Sequence, residues 1–508
     1  MKMRKLFAGI AAAATLLGGM ALGATSAQAD DTPTTVKGDA KFTFTAQDTK
    51  QLTNRKLNAY KIADYVRYGT GDNAAYGVQT ADGVVRDALA KALQSATDEN
   101  VPETGDLMAW ALAKGVLSVD DSADENGAWS NSASRKFVES LKNATGNLGT
   151  AAPVDLGAAA NGTSATVTLP AGLYLFVDAD YSAGTNKDAT PSIAILVGSG
   201  NVKNGVLNPL TEATVDIKNQ TTTVSKTVSA ATASVGQTVT YTITSKVPQN
   251  TQYYSDYAYT YTDTPSAGQT VHLNSLKVKV ANAELKKDTD YTVTGGANGQ
   301  PFTVAIRSIQ TYRAGAEIAV TYNATVTSEE AAGSKAVTNT VVLSDNGAEA
   351  ADRTIVTNGQ FSFTKTDAQG KALAGAKFKI EGQGDTSTPS TATATSDSNG
   401  TVTFKGLADG TYKVTETGVP ADFQQNLKAA FTVIITNGKA VKYTGADIWG
   451  LAPNAEVSDS DTYKVKNVKN VTQLPLTGAA GTTLFTVVAL LVAGAGVTVA
   501  LKSRQRMH

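Results

Sequence analysis

The run Thr238-Val239-Thr240-Tyr241-Thr242-Ile243-Thr244 alternates polar and apolar side chains with a period of two, and Glu317-Ile318-Ala319-Val320-Thr321-Tyr322 does the same. Positions i, i+2 and i+4 of a strand share a face, so this rhythm commits each run to a strand with one face buried and one wet. From about 220 to 357 nearly all of the sequence is of this kind, broken by Gly, Asn, Asp and Pro, which predicts an all-β sandwich. From about 358 to 472 the pattern repeats in short strands joined by Asn399-Gly400, Asp409-Gly410 and Asn437-Gly438, again without need of a helix. Residues 30–219 are mixed. Strand alternation at Phe42-Thr43-Phe44 and Leu173-Tyr174-Leu175-Phe176-Val177 frames three stretches of helical spacing, Val84 to Leu93, Leu107 to Leu117 and Arg135 to Leu141. The expected fold class is mainly β: tandem immunoglobulin-like sandwiches, the first with inserted helices.

At 508 residues the chain has room for several such domains. A formal charge of −1 with 18% charged residues argues against a nucleic-acid partner. There is no cysteine, and the only histidines are His272 and His508, so thiol nucleophiles, disulfides and Cys/His metal sites are excluded and no metal or cofactor is expected. No G-x-S-x-G elbow is present either, which leaves a secreted hydrolase only an unrecognised carboxylate pair.

The two ends address the chain to a membrane. Residues 1–29 form a basic stub (Lys2, Arg4, Lys5), an apolar run and a small-x-small site Ala27-Gln28-Ala29, the layout of a signal peptide. Thr482 to Leu501 is 20 residues without a charge, followed by the basic tail 502–508, which predicts a transmembrane helix with its positive flank inside.

Side-chain alternation also places polar groups among apolar ones. Lys226 shares a face with Val224 and Val228, and Lys365 with Phe361 and Phe363. Asp263 follows Tyr259 and Tyr261, Glu416 follows Tyr412 and Val414, Asn339 lies between Val337 and Val341, and Asn467 follows Tyr463 and Val465. Each of the two later modules thus directs one Lys, one carboxyl and one Asn inward, in the same chain order. Burial disfavours charge on both the amine and the acid. A neutral lysine is a nucleophile, and a protonated carboxyl can polarise an amide and shuttle protons. Attack on the Asn amide with loss of ammonia would leave a Lys–Asn isopeptide bond, a single-turnover reaction and not enzymology. The alternative is that each lysine snorkels to water and each acid is a salt-bridge partner. Lys61 also lies near apolar residues, but its face and partners cannot be assigned from the pattern.

Three resemblances bear on these readings. Leu474-Pro475-Leu476-Thr477-Gly478, followed by the apolar span and basic tail, resembles the sortase sorting signal of Gram-positive surface proteins, which implies cleavage between Thr477 and Gly478. Phe361 to Asp367, Leu373 to Phe378 and Gly406 to Thr417 resemble the CnaB-type domain of Gram-positive pilins and adhesins, which implies a Lys365–Asn467 bond with Glu416 as proton shuttle. Asn470 competes with Asn467, but its face partner is Val468. The middle module resembles, more loosely, the CnaA-like pilin domain, which implies a Lys226–Asn339 bond with Asp263 as shuttle.

At the end of the first module, Val215 and Ile217 form the apolar face of Ala213-Thr214-Val215-Asp216-Ile217-Lys218-Asn219, which sends Lys218 to the solvent side with Thr214 and Asp216. Val215 to Asn219 partly resembles the end of the motif whose lysine accepts the next subunit in sortase-built pili, although Asp216-Ile217 stand where that family has Tyr-Pro. The organisation expected is signal peptide 1–29, N-terminal pilin domain 30–219, CnaA-like domain 220–357, CnaB-type domain 358–472, sorting signal 474–478 and transmembrane helix 482–501. The resemblances together imply a secreted, cell-wall-anchored major pilin, polymerised by a class C sortase through Thr477 and Lys218. The competing reading is a wall-anchored adhesin or minor pilin that accepts no subunit. Implied partners are pilus-specific and housekeeping sortases, further copies of the chain, minor pilins, peptidoglycan and a host or matrix ligand.

Overall fold

The computed structural model describes residues 33–69, 75–117, 133–179, 187–203, 206–254, 256–296, 299–327, 336–383, 392–456 and 463–474. The signal peptide 1–29, positions 475–478 of the sorting signal and the apolar span 482–501 lie outside the described residues. Among those described, no helix is long and apolar enough to cross a membrane.

The first module sets two sheets face to face and lays helices over one of them. One sheet is built around β2 (Lys56–Tyr68), β4 (Leu173–Asp178) and β5 (Ile195–Gly198); the other contains β1 (Asp39–Thr45), β3 (Ser164–Pro170) and β6 (Ala213–Asp216). Leu173 to Phe176 is buried throughout because both faces of β4 are covered. Tyr174 and Phe176 pack with Phe42 and Phe44 between the sheets, while Leu173 and Leu175 meet the helices. Those helices are α1 (Arg86–Ala96), α2 (Leu107–Lys114) and α3 (Ala133–Lys142), at the three places where helical spacing predicts them. Asp106 caps α2 by accepting from the Ala109 N–H at 2.9 Å, and Gly115, with φ of 65°, ends it in the left-handed conformation. The last strand returns beside the first: β6 pairs parallel with β1, with Val215 opposite Phe44.

The middle module is a sandwich without α-helices among the described residues. One sheet runs β7 (Ser225–Val228), β8 (Thr238–Lys246), β13 (Glu317–Val326), β10 (Gln269–Val280); the facing one runs β11 (Tyr291–Gly295), β12 (Phe302–Ile306), β9 (Tyr259–Pro265), β14 (Val337–Asp345), β15 (Ala348–Val356). The inward residues of β8, β9 and β13 are buried valines, isoleucines and tyrosines, as their alternation requires.

The third module is a single curved sheet whose main path is β17 (Lys377–Gln383), β19 (Gly410–Gly418), β20 (Ala430–Thr436), β21 (Lys439–Gly445), β16 (Gly359–Thr366), β18 (Thr401–Leu407). The short final strand β22 (Lys464–Lys466) lies parallel to β16, with Val465 opposite Lys365. The Asn399-Gly400 turn passes so close to β16 that a side chain on Gly400, at φ of 73°, would collide with the Lys365 carbonyl.

Successive modules are joined by more than a linker. Between the first two, Asn250 donates to Thr190 Oγ1 at 3.2 Å, Tyr254 donates to the Pro191 carbonyl at 3.1 Å, and the Arg135 guanidinium lies 5.4 Å from the Tyr253 ring centroid. Between the second and third, the Val235 N–H donates to the Gly406 carbonyl at 2.9 Å and the Ala408 N–H to Ser234 Oγ at 2.8 Å.

Candidate functional sites: two buried Lys–acid–Asn centres and a junction lysine

All six polar residues assigned to apolar faces are buried, and they converge as two separate trios. In the third module Lys365 enters from β16 and Glu416 from β19, and Asn467 follows β22 directly. Lys365 Nζ lies 3.2 Å from Glu416 Oε1 and 3.3 Å from Oε2, and donates to the Lys466 carbonyl at 2.8 Å. Asn467 Nδ2 and the Ala429 N–H each donate to Glu416 Oε2 at 3.0 Å. The Phe378 ring centroid is 5.5 Å from Nζ. Burial, opposed by Glu416, pushes the Lys365 amine down to about 8.

In the middle module Lys226 from β7 crosses the sandwich to Asp263 on β9, with which it makes an ion pair, and Asn339 sits on the neighbouring β14. Burial pushes the Lys226 amine down and the Asp263 carboxyl up, in each case against the attraction of the partner. Both directions favour the neutral amine and neutral acid over the ion pair. The snorkelling alternative does not describe these lysines, whose side chains are fully enclosed.

Both centres leave the same group unserved. Asn339 Oδ1 and Asn467 Oδ1, the amide carbonyl oxygens of the two trios, are buried without a donor. An unpaired buried acceptor costs about 1–3 kcal/mol. A half-turn of the Asn467 amide would exchange Nδ2 for Oδ1 beside Glu416 Oε2.

Sequence pattern missed one member of the middle centre. Tyr322 on β13 places its hydroxyl 2.7 Å from Lys226 Nζ, 2.8 Å from Asn339 Nδ2 and 2.9 Å from Asp263 Oδ2. Alternation with Ile318 and Val320 puts it on the inner face, but which strand it would face across the sandwich is a matter of tertiary packing.

Lys218 departs from expectation. Extending the alternation of β6 sends it to the solvent face, yet β6 ends at Asp216 and the side chain is only 9% exposed. Past the strand end, the Lys218 N–H donates to Ser192 Oγ at 3.2 Å and its carbonyl accepts from the Ile193 N–H at 3.1 Å, which draws the residue into the seam between the first two modules. Burial, reinforced by the charge of Arg135 and opposed by Asp216, pushes its amine down to about 8. The ammonium makes no hydrogen bond among the described residues. Lys61 forms no third trio: it is half-buried and paired with Asp64 at 2.5 Å on its own strand. The buried ion pair of the first module is instead Arg55 with Asp178, at 2.6 Å.

Residues 359–448 match the family model of the SpaA prealbumin-like fold domain, residues 217–358 that of the Sgo0707 N2 domain, and residues 466–506 the LPXTG cell wall anchor motif. This chain is a surface protein with an LPXTG cell wall anchor. No curated protein sequence matches it. Among solved structures, the T6 backbone pilin of serotype M6 Streptococcus pyogenes is similar to this chain at 16% identity and a TM-score of 0.51, covering 85% of this chain and 99% of that one. The major pilin SpaD of Corynebacterium diphtheriae aligns at 14% identity and a TM-score of 0.48, over 85% of this chain and 98% of that one. At 16% identity the likeness to the T6 pilin is one of fold. The anchor motif contains Leu474 to Gly478, so this protein is a cell-wall-anchored surface component of a Gram-positive bacterium.

Proposed function

We propose that this protein is the shaft subunit of a covalent pilus, with its middle and third modules each closed by a self-formed isopeptide bond, Lys226–Asn339 and Lys365–Asn467. In each reaction the lysine nitrogen bonds to the asparagine Cγ and the amide nitrogen leaves as ammonia. Asp263 or Glu416 carries one proton from the amine to the leaving group and returns to its starting state. Polymerisation then joins the Thr477 carbonyl of one subunit to Lys218 Nζ of the next, with the segment beginning at Gly478 released. The observation that carries this reading is the pair of enclosed Lys–acid–Asn centres in a chain that ends in an anchor motif, since such cross-links serve a protein loaded along its length.

The burial of Lys218 favours the other reading, a wall-anchored adhesin or minor pilin that accepts no subunit. The two are separated by a denaturing-gel immunoblot of enzymatically released cell wall, comparing wild type with Lys218→Ala. A high-mass ladder is expected in the wild type and a single band in the variant. A ladder that persists would move the acceptor to another lysine, and a single band in both would establish the adhesin reading.

A further inference from the structure

We propose that Tyr322 is a catalytic residue of bond formation in the middle module, relaying the proton from Asp263 to the departing nitrogen of Asn339. The inference rests on the isopeptide reading of this centre and goes beyond it by naming a fourth participant.

The geometry is specific. One hydroxyl touches all three members of the trio: it accepts from Lys226 Nζ at 2.7 Å and from Asn339 Nδ2 at 2.8 Å, and donates to Asp263 Oδ2 at 2.9 Å. Its ring lies edge-on to Phe302, with centroids 5.3 Å apart, and 5.4 Å from Tyr241, so its position is held by packing from two strands. Lys226 Nζ stands 5.1 Å from the Tyr322 ring centroid and 5.0 Å from that of Tyr241, a setting in which the aromatic faces hold the ammonium until it gives up its proton.

The proton balance assigns the role. Transfer within the ion pair leaves Lys226 as a free amine and Asp263 as the acid. Attack on Cγ forms the new C–N bond, and the old one breaks when its nitrogen gains a proton. Nδ2 is hydrogen-bonded to Tyr322, and Tyr322 to Asp263. The phenol can therefore give its proton to Nδ2 while taking the one on Asp263, and Asp263 recovers a proton from the attacking amine. Ammonia departs, and phenol and acid end as they began. Burial holds the phenol far above its ordinary range, so it acts as a neutral hydroxyl throughout.

The third module supplies the comparison. There Asn467 Nδ2 donates directly to Glu416 Oε2. There the glutamate reaches the leaving nitrogen itself, whereas in the middle module Asn339 Nδ2 donates to Tyr322 and Tyr322 to Asp263, whose carboxyl also feels the Asn339 side chain directly. This predicts that removal of the hydroxyl slows one bond and spares the other.

The test is Tyr322→Phe in the full exported chain, read by intact mass and by mapping the Lys226- and Asn339-containing peptides after timed unfolding and refolding of freshly made protein. The middle bond is expected to form ~100-fold more slowly or not at all, while the Lys365–Asn467 bond forms as in the wild type. Tyr259→Phe, which removes a hydroxyl bound to Ser245 and the Lys246 carbonyl and not to the trio, should leave both bonds at wild-type rates. Asn339→Ala is the reference for a folded but unlinked module. A Tyr322→Phe protein that matches it in melting temperature and proteolysis has lost only the bond, as proposed. One that melts far below it shows the hydroxyl to be architectural and overturns the proposal, as does a middle bond that forms at the wild-type rate. A wild type that retains its ammonia at Lys226 and Asn339 overturns the isopeptide reading itself, which the same mass measurement identifies.

Discussion

Replacing Glu416 by Gln is expected to leave the third module unlinked, one ammonia heavier than the wild type, and lower in melting temperature by roughly 15–40 °C. Gln preserves the shape and can still accept from the Ala429 N–H, so the sheet should assemble; what it cannot do is take up and return a proton. The size of the effect follows from the 102 residues separating Lys365 from Asn467. By analogy with a disulfide, closing such a loop restricts the unfolded chain by roughly 4–5 kcal/mol, and each kcal/mol moves the melting temperature of a domain of this size by about 4–8 °C. The variant also keeps a free, fully buried Lys365 amine. Its folded-state value, about 8 even with Glu416 beside it, lies below the ordinary 10.5, so the folded state binds fewer protons than the unfolded one. The variant should therefore gain stability as the pH rises between those values, whereas the linked wild type has no amine there to titrate. Calorimetry and intact mass across pH 7–10 check both points. A variant that loses ammonia as the wild type does would remove Glu416 from the chemistry.

The two proposed cross-links would not protect their modules equally. In the third, Lys365 on the first strand and Asn467 just beyond the last are neighbours on parallel strands, so tension entering at residue 358 crosses to 467 without loading the sheet between. In the middle module Asn339 lies at the start of β14, and the rest of β14 and all of β15 fall outside the cross-link. Force leaving Asn339 must run through that hairpin. Its nine facing residue pairs, Val337 with Val356 through Asp345 with Ala348, can open from one end. The part of a loaded subunit that yields first should be this hairpin.

The alternation of Val224, Lys226 and Val228, or of Tyr412, Val414 and Glu416, was enough to assign each polar residue to an inner face, because a strand's period of two leaves no other choice while the strand continues. The same rule misplaced Lys218, since it was carried two residues past the end of β6, where hydrogen bonds to Ser192 and Ile193 decide the direction of the side chain. Tyr322 was legible as an inward residue but not as a partner of the trio. Its hydroxyl meets Asp263 from the opposite sheet, and sheet-on-sheet placement is not written in the alternation of either strand. The helices of the first module were legible from spacing alone, as α3 shows with Phe137, Val138 and Leu141 buried on one side. What they do for Lys218 was not, because the nearness of Arg135 to Lys218 is a product of the fold.

Lys218 should react with a small amine-specific acylating reagent along a pH profile with its midpoint near 8. An ordinary lysine, near 10.4, holds roughly 0.04% of its amine neutral at pH 7, against about 10% for a group at 8, a difference of about two hundred-fold in available nucleophile. Burial lowers access to the reagent by a factor that does not depend on pH, so the shape of the profile, and not the absolute rate, carries the result. The physical causes can be separated by two variants with opposite signs. Asp216 stabilises the ammonium from its own strand, and Asp216→Asn should move the midpoint further down. Arg135, on α3 and paired with Glu139 at 2.8 Å, disfavours it, and Arg135→Gln should move the midpoint up. Lys142, Glu139 and the Tyr253 ring face the same seam and are unchanged in both. A lysine that must attack an acyl donor at neutral pH benefits from this setting, because neutral amine is present before the donor arrives. A midpoint near 10 in peptide-resolved labelling would leave Lys218 an ordinary lysine held in a seam, and the acceptor would have to be sought among the exposed lysines.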